Sequence, residues 1–200
     1  MAGLLFVLTG PSGVGKSTIR IRLCEDSRLV RSVSCTTRAP RAGERDGVDY
    51  FFVTEPEFQR RVAAGELLEH AHVFGRHWYG TPRAWVEARV AEGKIVILEI
   101  EVQGARQTVD CGLPRYAVFV HPPSWDMLER RLRGRGTESA DAIAARLATA
   151  REELAAAGEF DAQVVNDDVD RVATEIRGLL AARGPGGVPQ PANRNPPDAR

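Results

Sequence analysis

The sequence predicts an α/β fold: a parallel sheet with helices packed on both of its faces. A continuously apolar run at residues 4–9 marks a strand covered on both sides, and further strands are expected at 95–100 and 116–121. Segments with helical start and stop signals alternate with such runs, and that alternation is the pattern of parallel sheets. A glycine-rich turn also joins the first apolar run directly to a helical stretch. A chain of 200 residues fits one compact domain, or one domain with a small inserted lobe. That length buries roughly 70% of the unfolded surface, enough to fold without disulfide or metal staples.

After the strand at 4–9 and the glycine-rich turn, a helix is expected to about Cys24, and a second strand at 30–35. Residues 36–47 are rich in Arg, Pro and Gly and read as loop, and 50–53 as a short strand. Thr54, followed three residues on by Glu57, is a capping-box start for the next helix. Strands are expected at 67–74 and 78–80, then a helix opened by Thr81-Pro82 and stopped at Gly93. A strand at 95–100 and a short helix at 104–110 precede the strand at 116–121, which Pro122-Pro123 closes. Ser124 caps a helix whose basic end runs to Arg133, and Gly134 and Gly136 separate it from a long helix at about 139–157. Val164-Val165 supplies a last strand and 170–183 a last helix. Residues 184–200 hold five of the twelve prolines and almost nothing large and apolar, and are expected to be a disordered tail.

With 27 basic and 27 acidic side chains the net charge is zero, which argues against a nucleic-acid partner. Small phosphorylated ligands remain open, because a local arginine cluster needs no global excess. Cys24, Cys35 and Cys111 are scattered, odd in number and without C-x-x-C spacing, as expected of free thiols in a reducing cytoplasm. No apolar run approaches the ~20 residues of a membrane span, and the start lacks the charged region of a signal peptide. His70 and His72 could share a strand face as metal ligands, but no third ligand is evident nearby, so they read as structural or surface residues.

Gly10-Pro11-Ser12-Gly13-Val14-Gly15-Lys16-Ser17 satisfies G-x-x-x-x-G-K-[ST], between a buried strand and a helix as that motif requires. Its glycines let successive N–H groups turn toward a phosphate, and the helix N-terminus adds its positive dipole end. Lys16 reaches the outer phosphates and the Ser17 hydroxyl suits Mg²⁺; Thr18 closes the turn. The chemistry is that of a nucleotide site. Downstream, Arg38 and Arg41 stand three apart where Pro40 and Gly43 exclude helix, so both can fork onto one phosphate, with Ser34 and Tyr50 adding hydroxyls. Taken alone the loop reads as a solvated basic surface; behind a phosphate-binding turn it reads as a second phosphate site. Arg130, Arg131, Arg133 and Arg135 complement a helix C-terminal dipole, and they would equally serve a centre where several phosphate oxygens meet. Gly134 and Gly136 offer hinges for a closing lid.

The segments SVSCTTRAPRAGERDGVDYFFV, GELLEHAHVFGRHWYGTP, RRLRGRGTES and VVNDD resemble, in order and spacing, the guanylate kinase family. The resemblance spans residues 4–180. It implies a P-loop NTPase fold with a five-stranded parallel core at 1–35 and 82–183, an inserted mixed α/β GMP-binding lobe at about 36–81, and a helical lid at about 131–150. It implies an ATP-dependent nucleoside monophosphate kinase of purine nucleotide metabolism, converting ATP and GMP to ADP and GDP with Mg²⁺. By the same resemblance, Ser34, Arg38, Arg41, Tyr50 and Tyr79 take the GMP phosphate, and Glu69 and Thr81 the guanine. Arg131, Arg135 and Arg146 take the transferring phosphoryl group, beside Lys16 and Arg38, and Asn166 lies near the ATP adenine.

A carboxylate at Glu69, between Leu68 and an otherwise apolar-flanked strand, can accept from guanine N1–H and its exocyclic amine, donors that adenine lacks. A site built this way discriminates ~10⁴ to 10⁵-fold; without the surrounding pattern, Glu69 would read as a solvent-facing strand residue. The chain departs from the family at Glu99-Ile100-Glu101, where Asp-x-Asp is usual. Alternate strand residues share a face, so both longer carboxylates still point into the cleft, Glu99 toward Mg²⁺ and Glu101 toward the guanine amine. Residues 75–80 are one longer than the usual form. Two other functions fit parts of the pattern: a peptide-holding module of related fold, which typically lacks a working P-loop, and a ribosyl bisphosphate kinase, which would not require Glu69 or the Arg38–Arg41 loop.

Overall fold

The computed structural model describes residues 3–73, 75–134 and 140–183. Phe74, Arg135 with the rest of 135–139, and the expected tail at 184–200 lie outside the described residues. The chain order is β1 (Leu4–Thr9), α1 (Lys16–Leu23), β2 (Leu29–Arg31), β3 (Cys35–Thr36), β4 (Phe51–Phe52), α2 (Glu55–Ala63), β5 (Leu67–Val73) and β6 (His77–Pro82). It continues with α3 (Arg83–Ala91), β7 (Ile95–Glu99), α4 (Val102–Gln107), β8 (Arg115–His121), α5 (Trp125–Arg133), α6 (Ala140–Ala155), a 3₁₀ turn at Ala157–Glu159, β9 (Ala162–Val165) and α7 (Val169–Ala182).

A five-stranded sheet runs in the order β2-β7-β1-β8-β9, every pair parallel. Because alternate residues of β1 face opposite ways, Phe6 and Leu8 enter one core with Ile19 and Leu23 of α1 and Val172 and Ile176 of α7. Leu5 and Val7 enter another with Val86 and Val90 of α3 and Ala105 of α4. Burying side chains of this size contributes about 1.5–3 kcal/mol each, so the central strand is clamped from both faces. The phosphate-binding turn therefore starts from a central strand buried on both faces.

Residues 35–82 form a second, four-stranded sheet in the order β4-β3-β6-β5, with parallel β3–β4 and antiparallel β3–β6 and β5–β6 pairs. Phe58 of α2 stacks on Trp78 of β6 and closes a small core with Cys35 and Leu67. Thr54 caps α2 by accepting the Glu57 N–H at 3.4 Å, as the capping-box pattern predicts.

Four sequence expectations need correction. The single strand expected at 30–35 is two strands in different sheets: the Ser32 N–H still donates to Ile97 O in the core, but Ser34 O already accepts from Phe51 in the second sheet. Thr81 does not cap a helix. Strand β6 continues through it to Pro82, which takes the N-cap position of α3, because the Thr81 hydroxyl is spent on Glu69. The short helix begins at Val102, directly after Glu101, rather than at 104. The long helix ends at Ala155, and a 3₁₀ turn carries the chain on to β9.

The VVNDD segment divides its labour. Asp168 caps α7 by accepting the Arg171 N–H at 2.8 Å, and Asp167 pairs with the Arg171 guanidinium. Losing such a cap costs ~1 kcal/mol, so Asp168→Ala should lower the melting temperature by about 2–4 °C without altering kcat. Calorimetric melting beside a rate assay checks this.

Candidate nucleotide site

The site lies at the carboxyl ends of the parallel strands, where ligands of open α/β sheets bind. Gly10, Gly13 and Gly15 all have positive φ, at 141°, 85° and 103°, which L-residues other than glycine adopt only with strain. Packing forbids a side chain as well: a Cβ on Gly10 would stand 2.4 Å from Val120 O, and one on Gly15 2.4 Å from Asn166 Nδ2. Buried Val14 anchors the turn in the core, while Pro11, Ser12 and Thr18 flank it. Lys16 Nζ curls back onto Gly10 O at 2.5 Å and Pro11 O at 3.1 Å.

Three segments distant in sequence grip this turn. Asn166 Nδ2 donates to Val14 O at 2.7 Å, and its buried Oδ1 has no hydrogen-bond donor among the described residues. Arg131, from α5, donates to the same carbonyl at 3.1 Å. Arg146, from α6 and only 8% exposed, donates to Ser12 Oγ at 2.7 Å. The structure thus brings Lys16, Ser17, Arg131, Arg146 and Asn166 together at one turn.

At the end of β7, Glu99 Oε1 accepts the Ser17 hydroxyl, and its Oε2 accepts Arg20 Nε at 2.8 Å. The longer carboxylate therefore reaches the phosphate-binding turn. Glu101 stands at the N-cap position of α4 and lines the same cleft as Ser12, Lys16 and Ser17. Ser17 and Glu99 also line the adjoining cleft with Ser34, Asp49 and Tyr50. The two clefts adjoin at Ser17 and Glu99, which stand in the wall of both.

In that sheet Arg38 Nε donates to Tyr79 Oη at 3.3 Å, and its guanidinium lies 5.4 Å from the Tyr50 ring centre. Arg38 Nη2 also donates to Glu44 Oε1 at 2.9 Å. Arg41 is exposed, and its backbone N–H donates to Glu44 Oε2 at 2.7 Å. Glu44 thus holds both arginines of the loop in a compact turn.

Glu69 is 5% exposed, in β5, and its Oε1 accepts the Thr81 hydroxyl at 2.6 Å. Ser34 Oγ stands 3.5 Å from the same hydroxyl. Burial raises the Glu69 pKa to about 7, against the pull of the Thr81 hydrogen bond. His70 and His72 are used structurally. The backbone of His70 pairs with the Gln107 side chain, and the ring of His72 stacks on Trp78 at 4.5 Å. No group of three or more His, Cys, Asp or Glu that could hold a metal occurs among the described residues.

Sequence reasoning overlooked Glu44, Arg20 and Glu153. Glu153, on α6 and 7% exposed, has its pKa raised to about 7 by burial, with Lys16 pulling it down and Glu101 pushing it up. Backbone N–H groups of Val102 and Ser12 also bond it. Only the acid that ends the TTRAPRAGE run hinted at Glu44; Glu153, the second of two adjacent glutamates in an alanine-rich helix, reads as a solvated residue.

A family profile described as guanylate kinase matches residues 3–183. The guanylate kinase of Parasynechococcus marenigrum (strain WH8102) is 52% identical over 179 residues, 89% of this chain and 98% of that protein. That of Synechocystis sp. (strain ATCC 27184 / PCC 6803 / Kazusa) is 54% identical over 179 residues, covering 89% and 93%. The crystal structure of guanylate kinase from Anaplasma phagocytophilum superposes with a TM-score of 0.73 at 37% identity, over 91% of this chain and 86% of that one. With its glycine turn, its two sheets and the adjoining clefts between them, the chain belongs to the guanylate kinase family.

Proposed function

We infer that this chain transfers the γ-phosphoryl group of ATP to GMP, releasing ADP and GDP. The observation that carries this reading is the pair of adjoining clefts that share Ser17 and Glu99, one lined by Lys16 and the glycine turn, the other by Ser34 and Tyr50 beside the second sheet. A donor phosphate on the turn and an acceptor phosphate near Tyr50 would face each other across that shared wall.

On this reading the backbone from Gly10 to Thr18 cradles the ATP phosphates, Lys16 neutralises the outer ones, and Asn166 lies toward the adenine. Ser34, Arg38, Arg41, Tyr50 and Tyr79 hold the GMP phosphate, while Glu69, Thr81 and Glu101 face the guanine. Arg131, Arg146 and Arg135 neutralise charge on the moving phosphoryl group. Residues 36–81 act as the GMP lobe and about 131–150 as the lid. Ser17 and Glu99 offer the hard oxygen ligands that Mg²⁺ prefers, and magnesium sites typically take one or two protein ligands and complete the shell with phosphates and water. Mg²⁺ would supply charge neutralisation between the phosphates.

The acceptor is a phosphate monoester with a second pKa near ~6, already a nucleophile at neutral pH, so no general base is assigned. Catalysis comes from in-line positioning and charge neutralisation. No helix among the described residues is long and apolar enough to cross a membrane, and the cysteines are free; we place the reaction in the cytoplasm.

A coupled ADP-release assay with GMP, AMP, dGMP and ribose 1,5-bisphosphate tests the substrate assignment. Turnover is expected with GMP far above AMP. Preference for the ribosyl bisphosphate, or no turnover with any acceptor, would contradict it.

The raised Glu69 pKa sets a pH dependence. Above about pH 7 the group is a carboxylate that accepts two guanine donors. Below that it is a neutral acid, whose hydroxyl opposes those donors. GMP affinity should therefore fall as pH drops from 8 toward about 6.5, a range above the GMP phosphate's own pKa near ~6, and Glu69→Gln should abolish that part of the profile. Without ligand the linkage has the opposite sign. The folded protein holds this proton more tightly than the unfolded chain, so the stabilising contribution present at acid pH is lost as pH rises through about 7.

A further inference from the structure

Gly104 lies buried inside α4, one turn after Glu101. Its backbone is not among the positive-φ glycines, so its conformation does not call for glycine. Within a helix, alanine would be the better former. What excludes a side chain is space: a Cβ there would stand 2.7 Å from Glu69 Oε2, 3.5 Å from Glu69 Cδ and 3.6 Å from Ile100 Cβ. The volume that a methyl group would fill is taken by the Glu69 carboxylate.

One turn further on, Gln107 fixes the neighbouring residue. Its Nε2 donates to His70 O at 2.8 Å and its Oε1 accepts the His70 N–H at 3.0 Å. Strand β5 is at the edge of its sheet, and this side-chain amide stands where a further strand would pair. Thr81 meanwhile holds the other Glu69 oxygen.

We propose that Gly104 and Gln107 are specificity-determining positioning residues: α4 supplies the space and the anchor that set the Glu69 carboxylate where it reads the guanine base. This rests on the assignment of Glu69 as a base reader. Neither residue touches the nucleotide. Gly104 acts by leaving room, Gln107 by holding the strand register. Because Glu101 immediately precedes the helix, one short element then aligns both carboxylates assigned to guanine.

The test compares the wild type with Gly104→Ala, Gln107→Leu, Glu69→Gln and the Gly104→Ala/Glu69→Gln double variant. KM for GMP and ATP, kcat, activity with AMP at high concentration, and melting temperature are measured for each. Gly104→Ala should lower kcat/KM for GMP at least about fivefold through KM, by displacing a charged hydrogen-bond acceptor. AMP activity and KM for ATP should change less than about twofold; in the melting temperature, the helix propensity of alanine is offset by crowding against the buried carboxylate. Gln107→Leu, an exposed site whose variant should fold, is expected to act in the same direction more weakly. In the Glu69→Gln background, Gly104→Ala should add less than about twofold, because both changes act through one carboxylate.

An unchanged ratio of GMP to AMP activity in Gly104→Ala and Gln107→Leu, with Glu69→Gln still selective against GMP, would overturn the positioning roles alone. Equal losses for both nucleotides would also overturn them. If Glu69→Gln leaves that ratio intact, the base-reading assignment falls and the proposal falls with it.

Discussion

Lys16→Met is expected to lower kcat at least about a hundredfold, toward a thousandfold, while GMP binds within about threefold of the wild-type affinity. Removing one preorganised donor from developing phosphoryl charge typically costs on that scale. Its ammonium lies on Gly10 O and Pro11 O, whereas Arg38, Tyr50, Glu69 and Thr81 belong to the segment that forms the second sheet. Methionine keeps the length and apolar stem of the side chain, so α1 should pack unchanged. Calorimetric titration with GMP and single-turnover kinetics with ATP separate the two effects. A loss of GMP affinity of about tenfold or more would refute the division into donor and acceptor sites.

Glu69→Gln should reduce kcat/KM for GMP by about ten- to a hundredfold, since each charge-assisted hydrogen bond contributes ~1.5–3 kcal/mol. The amide keeps the shape of the side chain and one acceptor oxygen, and its NH₂ opposes a guanine donor. AMP presents no matching donors and should lose little. The fold should tolerate the change or gain from it, because glutamine removes a buried acid whose ionisation burial disfavours. Glu101→Gln is the internal control, with the same selectivity pattern expected more weakly. Equal losses for GMP and AMP in Glu69→Gln would mean that the residue supports the fold rather than reads the base.

The two halves of the site were unequally legible in the sequence. The phosphate turn depends on local chemistry: positive φ at Gly10, Gly13 and Gly15, a lysine and a hydroxyl at fixed spacing, all within eight consecutive residues. Such a constraint is visible without any fold. The surroundings of Glu69 are contributed by Leu68 and Thr81 of one sheet and Gly104 of a core helix, and no local pattern encodes that meeting. Thr81 shows the resulting ambiguity, since Thr-Pro is a sound helix-start signal and only the nearby carboxylate diverts the hydroxyl. The break at Ser32 was hidden for a related reason. Residues 30–35 carry only three apolar side chains, Val30, Val33 and Cys35, whose two-residue phase shifts across Ser32; so short a run does not report that the hydrogen-bonding partner changes there from β7 to the second sheet. Arg146 lies outside the segments that carry the resemblance, and its hydrogen bond to Ser12 depends on how α6 lies across the turn.

The most direct measurement follows the phosphoryl group itself. The purified protein is incubated with ATP labelled at the γ-position, Mg²⁺ and GMP, and the products are separated. The account predicts that the label appears in GDP, in step with ADP formation, and that omitting GMP suppresses ADP release. Label found in inorganic phosphate at the same rate with and without GMP would contradict it.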